Sequence, residues 1–163
     1  MKPYIEELTR YNVWANERIT SYLLKAGTAI ADKEQSSSFP TIRKTLYHLW
    51  DAQVIWLARL NGSSLNTWPS QSFEGTLEEA AAGLLANSEE FVRFVAESDE
   101  KSLERDVVFH SLDKTEYRQK VLEILFHVMN HSTYHRGQLI TMLRNAGFEE
   151  VGSTDLIRYY RSR

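Results

Sequence analysis

Phe126-His127-Val128-Met129-Asn130-His131-Ser132-Thr133-Tyr134-His135-Arg136-Gly137-Gln138 holds three of the chain's five histidines within nine residues, each four positions from the next. It lies inside the longest periodic segment, residues 119–146. There Val121, Ile124, Val128, Leu139, Met142 and Ala146 recur at helical steps until Gly147. With about 100° per residue and His131 set at zero, the apolar face centres near roughly +65°. His135 falls near about +40° and His127 near about −40°. The phase therefore turns His131 and His135 toward a core together and sends His127 toward solvent or a neighbour.

Working outward, three more segments carry the same period. Ile5, Leu8, Tyr11, Trp14, Ala15, Ile19, Tyr22 and Leu23 predict a helix over 4–25, ended by Gly27. Ile42, Leu46, Leu49, Gln53, Trp56 and Leu60 predict a second over 41–60, with Ser38 placed to start it and His48 at the inner edge of its buried face. Thr76-Leu77-Glu78-Glu79 reads as a capping box opening a third helix over 77–98. Between the third and fourth helices, Val107-Val108-Phe109-His110 and Glu116-Tyr117-Arg118 flank Ser111-Leu112-Asp113-Lys114, which predicts a short hairpin or extended crossover. His110 reads as a surface residue. Residues 61–75 form a long loop in which Trp68-Pro69 and Phe73 are candidates for the wall of a site. A short fifth helix is expected from Ser153 or Thr154. The sum is an all-α, four-helix bundle in one domain over 1–163, with a long crossover between helices 3 and 4 and a short C-terminal helix.

Composition narrows the function. The net charge is −3 with no block of Lys or Arg, which argues against nucleic acid or an anionic membrane as the partner. There is no Cys, so thiolate nucleophiles, disulfides and Cys-based metal sites are excluded. No apolar run approaches a membrane span, and the start lacks the apolar core of a signal peptide, so a soluble cytoplasmic protein is expected.

Two imidazoles at i and i+4 share one helix face and can converge on one ion at about 2.0–2.1 Å. The third ligand has to come from another helix, and among those only the second carries a His, His48. Three protein ligands leave a position open for water or substrate, the pattern of a catalytic metal. The alternative is a hydrogen-bonded histidine cluster. Ser132-Thr133-Tyr134 fills the interval between His131 and His135, so the Glu base of an HExxH site is missing. Spacing nominates no catalytic acid or base.

His131-Ser132-Thr133-Tyr134-His135-Arg136-Gly137-Gln138-Leu139 resembles the signature of the DinB/YfiT-like metalloenzyme superfamily. Tyr11-Asn12-Val13-Trp14-Ala15-Asn16 looks like its first-helix motif, and Leu46-Tyr47-His48-Leu49-Trp50-Asp51-Ala52, followed by Trp56, Arg59 and Gly62, looks like its second. Asp155-Leu156-Ile157 resembles its C-terminal element. The resemblance implies a four-helix bundle, a divalent metal (Ni or Zn) held by His48, His131 and His135, and commonly a homodimer. It also implies a small-molecule substrate, since members with an assigned activity include transferases and isomerases that use low-molecular-weight thiols such as bacillithiol or mycothiol. Within the motif Arg136 is expected to pair with a carboxylate and Gly137 to permit close helix packing; Trp14, Asn16 and Asp51 have structural roles open to them. Leu122, Met129 and Ile140 fall outside the main apolar face, at about +160° to +180°, which calls for a second partner, either the tail helix or another subunit. Three functions fit these residues: a metal-dependent transferase using a small thiol, a metal-dependent hydrolase, or a non-catalytic metal-binding module associated with stress.

Overall fold

The computed structural model describes residues 1–111 and 113–163. Among them, four long helices form the bundle: α1 (Lys2–Ala26), α3 (Ile42–Leu60), α4 (Leu77–Glu97) and α6 (Val121–Asn145). Short elements join them: α2 (Thr28–Ala31), a 3-10 turn (Pro69–Ser72), α5 (Glu100–Leu103), strands β1 (Asp106–His110) and β2 (Glu116–Lys120), and the tail helix α7 (Leu156–Arg161). No helix of the described residues is long and apolar enough to cross a membrane.

Local chemistry sets the ends. The expected capping box is present on α4, with Glu79 N donating to Thr76 Oγ1 at 3.1 Å and Thr76 N to Glu79 Oε2 at 2.7 Å. Helix α3 is capped by Thr41, whose Oγ1 accepts from Lys44 N at 3.1 Å, and not by Ser38. Thr41 is the residue with extended backbone immediately before the first helical turn, so its hydroxyl reaches the free N–H groups. The tail helix begins at Leu156, after Asp155, with Ser153 Oγ accepting from Asp155 N at 3.0 Å. Gly27 and Gly147 end α1 and α6 at positive φ, 81° and 95°.

Helix α1 packs on α4 and α6, and α3 packs on the same two. Helices α1 and α3 therefore face each other across one diagonal, and α4 and α6 across the other. Two connections must cross the bundle: 98–120, the expected long crossover, and also 27–41. The loop 61–76 joins neighbours. The crossover 98–120 contains the expected antiparallel hairpin, paired from Asp106↔Lys120 to His110↔Glu116. Leu112, between the two strands in sequence, lies outside the described residues. Val107 and Phe109 point inward and close one end of the core, while His110 is exposed as expected, 3.8 Å from Glu116.

The core is not continuous. One apolar cluster gathers Ile5, Leu60, Phe91, Val95, Ile124 and Val128; the other gathers Ile19, Leu49, Leu84, Leu139, Met142 and Leu143. Each long helix places polar residues between the two: Asn12 and Asn16 on α1, Gln53 on α3, Ser88 on α4, Ser132 and Arg136 on α6, all buried. Arg136 is fully enclosed. It donates to Asn12 Oδ1 at 2.6 Å, Asn16 Oδ1 at 2.9 Å and Thr133 Oγ1 at 2.9 Å. Asn16 Nδ2 donates to Ser88 Oγ at 2.9 Å, and Ser88 Oγ donates to Gln53 Oε1 at 3.0 Å. The expected carboxylate partner of Arg136 is replaced by two neutral amides and a hydroxyl. Burial accordingly pulls its pKa below the ordinary arginine value.

Two other expectations change. A Cβ at Gly137 would meet nothing within 4 Å, so this glycine does not serve close packing; within the long helices the tight position is Gly83, where a Cβ would lie 2.6 Å from the Trp50 ring. Met129 is buried in the chain's own first cluster, with Leu122 packed against it and Ile140 against the second cluster. These three residues therefore do not themselves argue for a second subunit.

Candidate metal centre

The polar layer lies level with the three histidines. Ser132 and Arg136 each follow one of them, so as α6 turns these polar side chains inward it presents His131 and His135 to α3. There His48 Nε2 lies 3.1 Å from His131 Nε2, and His135 Nε2 lies 3.1 Å from the same atom. All three ligand nitrogens fall within 4.8 Å of one another. Around an ion with metal–nitrogen bonds of about 2.0–2.1 Å, ligand atoms are about 2.9 Å apart at right angles and about 3.4 Å at tetrahedral angles. The observed spacing fits, and these residues could hold a divalent metal. His127 stands outside the group; its ring sits edge-on to Trp56 at 5.0 Å.

Electrostatics point the same way. Burial pushes the His131 imidazole down to about 3, helped by the neighbouring rings of His135, His48 and His127. It pushes His48 down to about 4, helped by His135. Both rings are therefore neutral at pH 7, the form that binds metal. His135 is also lowered by burial, against a hydrogen bond to Gln138.

That hydrogen bond sets the tautomer. Gln138 Nε2 donates to Ser38 Oγ at 2.9 Å and to Tyr134 Oη at 3.1 Å, which uses both amide hydrogens. Its Oε1 therefore accepts, and His135 Nδ1–H donates to it at 2.7 Å. The proton is held on Nδ1, and the Nε2 lone pair points at the other two rings. Ser38, expected to start α3, instead anchors this chain of bonds. Phe39 stacks on His48 with centroids 4.3 Å apart, fixing that ring from the other side.

Two clefts meet at His48. The larger, about 650 Å³, is lined by Phe39, Tyr47, His48, Asp51 and Trp68 and reaches one histidine of the three. The second, about 510 Å³, is lined by His48, His131, Trp68, Arg59, His127 and Asp113. The open side of the group faces this second cleft, because two of the three rings form its wall. Trp68 borders both, as expected of a site wall. Phe73 does not; it packs edge-on against Trp50 and Tyr47. Asp51 is buried and accepts from Ser70 N at 2.7 Å and Ser70 Oγ at 2.6 Å, which fastens the loop bearing Trp68 to α3. Trp14 packs with Tyr11 and Tyr159 and ties α7 to α1.

A family model described as the DinB family matches residues 1–163. The chain belongs to the DinB family. It is also similar to Protein DinB of Bacillus subtilis (strain 168), with 30% identity covering 91% of this chain and 89% of that relative. For this DinB-family chain, spacing and phase are enough to select His48, His131 and His135. Sequence reasoning assigns no role to Gln138 or Phe39 and gives Ser38 a different one, as the start of α3. The three-residue step from His135 to Gln138, one helical turn, is the signal that points to the first of these.

Proposed function

We propose that this chain is a metal-dependent transferase: His48, His131 and His135 hold a divalent ion, Ni or Zn, and a low-molecular-weight thiol reacts there with a small electrophile. The observation that carries the reading is the convergence of three imidazole nitrogens beside a cleft large enough for a small molecule, with the His48 and His131 rings in its wall. A bound divalent ion would supply Lewis acidity, lowering the pKa of a thiol or water placed on it. The protein's part is to present the lone pairs and limit water. Gln138 holds His135 in the required tautomer, and Phe39 and Trp68 cover His48. With no Cys in the chain, the sulfur has to arrive as a cosubstrate. In the transfer, the thiol sulfur forms a bond to the electrophilic carbon, the leaving group departs with its electron pair, and the thiol proton passes to solvent.

Hydrolysis would use the same ligands but asks for a base near the attacking water. The three carboxylates lining the clefts are all engaged, Asp32 with Arg43, Asp51 with Ser70 and Asp113 with Ser111 and Thr115. That favours a nucleophile activated by the metal alone. The test is turnover by Zn- and Ni-loaded protein with a small thiol and a chlorinated nitroarene, against ester and amide substrates. Thiol-dependent release of chloride, lost in His131→Ala, is expected. Ester or amide hydrolysis with no thiol-dependent turnover would overturn the reading.

A further inference from the structure

Arg59 is a buried cation that neither the core nor the histidine group uses. It follows His48 on α3 by eleven residues. Eleven steps of about 100° return to within about 20° of the starting direction, so both side chains leave the same side of the helix, about 16 Å apart along its axis. The Arg59 side chain leans toward the helix N-terminus and so toward His48, shortening that gap.

Arg59 is only 8% exposed. Two rings set edge-on to each other pack against one side of its guanidinium, with Cζ 4.4 Å from the Trp56 centroid and 4.5 Å from that of Phe109. Neither ring offers its N–H donors a lone-pair acceptor. One donor reaches His110 O at a long 3.5 Å, and the buried Nε has no partner. Among the described residues no carboxylate pairs with it. Asp113 lines the same cleft but is tied to Ser111 Oγ and to Thr115 N, the latter at 3.1 Å. A desolvated guanidinium without a counter-ion is costly, and burial lowers its pKa from the ordinary value as that predicts. Its fork matches the geometry of a carboxylate.

We propose that Arg59 is a specificity-determining residue that receives a carboxylate of the small molecule bound in the 510 Å³ cleft, whose reacting end lies at His48 and His131. One buried cation matches one negative charge. A phosphate dianion would call for a second cation, and the neighbouring His127 is held toward its neutral form by burial and by Arg59 itself. The ligand spans several bonds, because its two ends are held by residues three helical turns apart. The proposal rests on the transferase reading only for the identity of the reacting end as a thiol.

The experiment is isothermal titration of the Zn-loaded protein with ω-mercaptocarboxylates of increasing length, their primary amides, and the corresponding carboxylates without sulfur. Wild type is expected to bind the best-fitting thiol acid at least about tenfold more tightly than its amide, the margin of a charge-assisted hydrogen bond in a dry site. Arg59→Gln is expected to remove that preference, so that acid and amide bind within about twofold of each other. Equal binding of acid and amide by wild type overturns the proposal and needs no variant, so a misfolded Arg59→Gln does not shelter it. Persistence of the preference in a folded Arg59→Gln overturns it too, as does absence of binding by every probe. A preference for acid over amide that is lost in Arg59→Gln but does not depend on sulfur supports the role of Arg59 and overturns the thiol reading instead.

Discussion

Replacing Gln138 by Leu separates metal-site geometry from stability. The side chain makes three hydrogen bonds, one to His135 Nδ1 at 2.7 Å and two outward, to Ser38 and Tyr134. Only the first acts on the histidine group. Without the Oε1 acceptor, the His135 ring is free to rotate and to carry its proton on Nε2, where it blocks coordination. Loss of such a partner costs about 10–100-fold in metal affinity, or about 1.4–2.7 kcal/mol. The two outward bonds lie at the surface, where exchange with water makes them worth little, so unfolding free energy is expected to change by less than about 1 kcal/mol. Gln138→Glu keeps the acceptor, and its negative charge strengthens the bond to Nδ1–H, so its affinity is expected at or above that of wild type. The assay is equilibrium competition for Zn with a chromophoric chelator, alongside urea unfolding of each apo-protein. If Gln138→Leu binds within about twofold of wild type with its fold intact, or if Gln138→Glu loses as much as the leucine variant, the tautomer argument is refuted.

Three further outcomes follow from the polar layer and the imidazoles. Arg136→Met strips donors from two buried amide oxygens, at about 1–3 kcal/mol each, partly offset by removal of a buried cation; urea unfolding should show a loss of about 2–4 kcal/mol. In metal-free protein the depressed pKa values of His48, about 4, and His131, about 3, mean that the unfolded chain takes up protons first as pH falls. Stability is then full above the unfolded value near about 6.5 and declines as pH drops toward 4 and below. Urea midpoints at pH 7, 6 and 5 should fall in that order, and a rise would contradict the shifts. Glu7 and Asp32, held below the usual carboxylate range by Arg163 and Arg43, act only at lower pH. Gly137→Ala should stabilise α6 by about 0.5–1 kcal/mol in a thermal melt, because the added Cβ meets nothing and the backbone is already helical.

The bundle is legible in the sequence because each long helix shows its apolar stripe at the 3.6-residue period, and the helix ends follow from Gly27, Thr76 and Gly147. The choice among the clustered histidines is legible for the same reason: at about 100° per residue, His135 and His131 fall within about 65° of the centre of the apolar face and His127 about 105° from it. What periodicity misses is whatever interrupts it. Asn12, Asn16, Ser88 and Ser132 look like ordinary polar positions, and their burial becomes visible only when four helices meet at one level. Arg136 is misread because an arginine beside a core stripe ordinarily finds a carboxylate, and here the layer supplies amides. The roles of Ser38 and Phe39 depend on how the connection 27–41 crosses the bundle, and a loop carries no period. Arg59 matches the second-helix motif, yet its lack of a counter-ion is a property of the folded neighbourhood, set by Trp56 on its own helix and Phe109 on the hairpin.

Which histidines hold metal is directly measurable. After loading with Zn or Ni and removal of excess ion, elemental analysis should find about one ion per chain in wild type and in His127→Ala. It should find little in His48→Ala, His131→Ala and His135→Ala, with helical circular dichroism retained throughout. Stoichiometric metal that survives His48→Ala, or that vanishes in a folded His127→Ala, would contradict the three-histidine assignment.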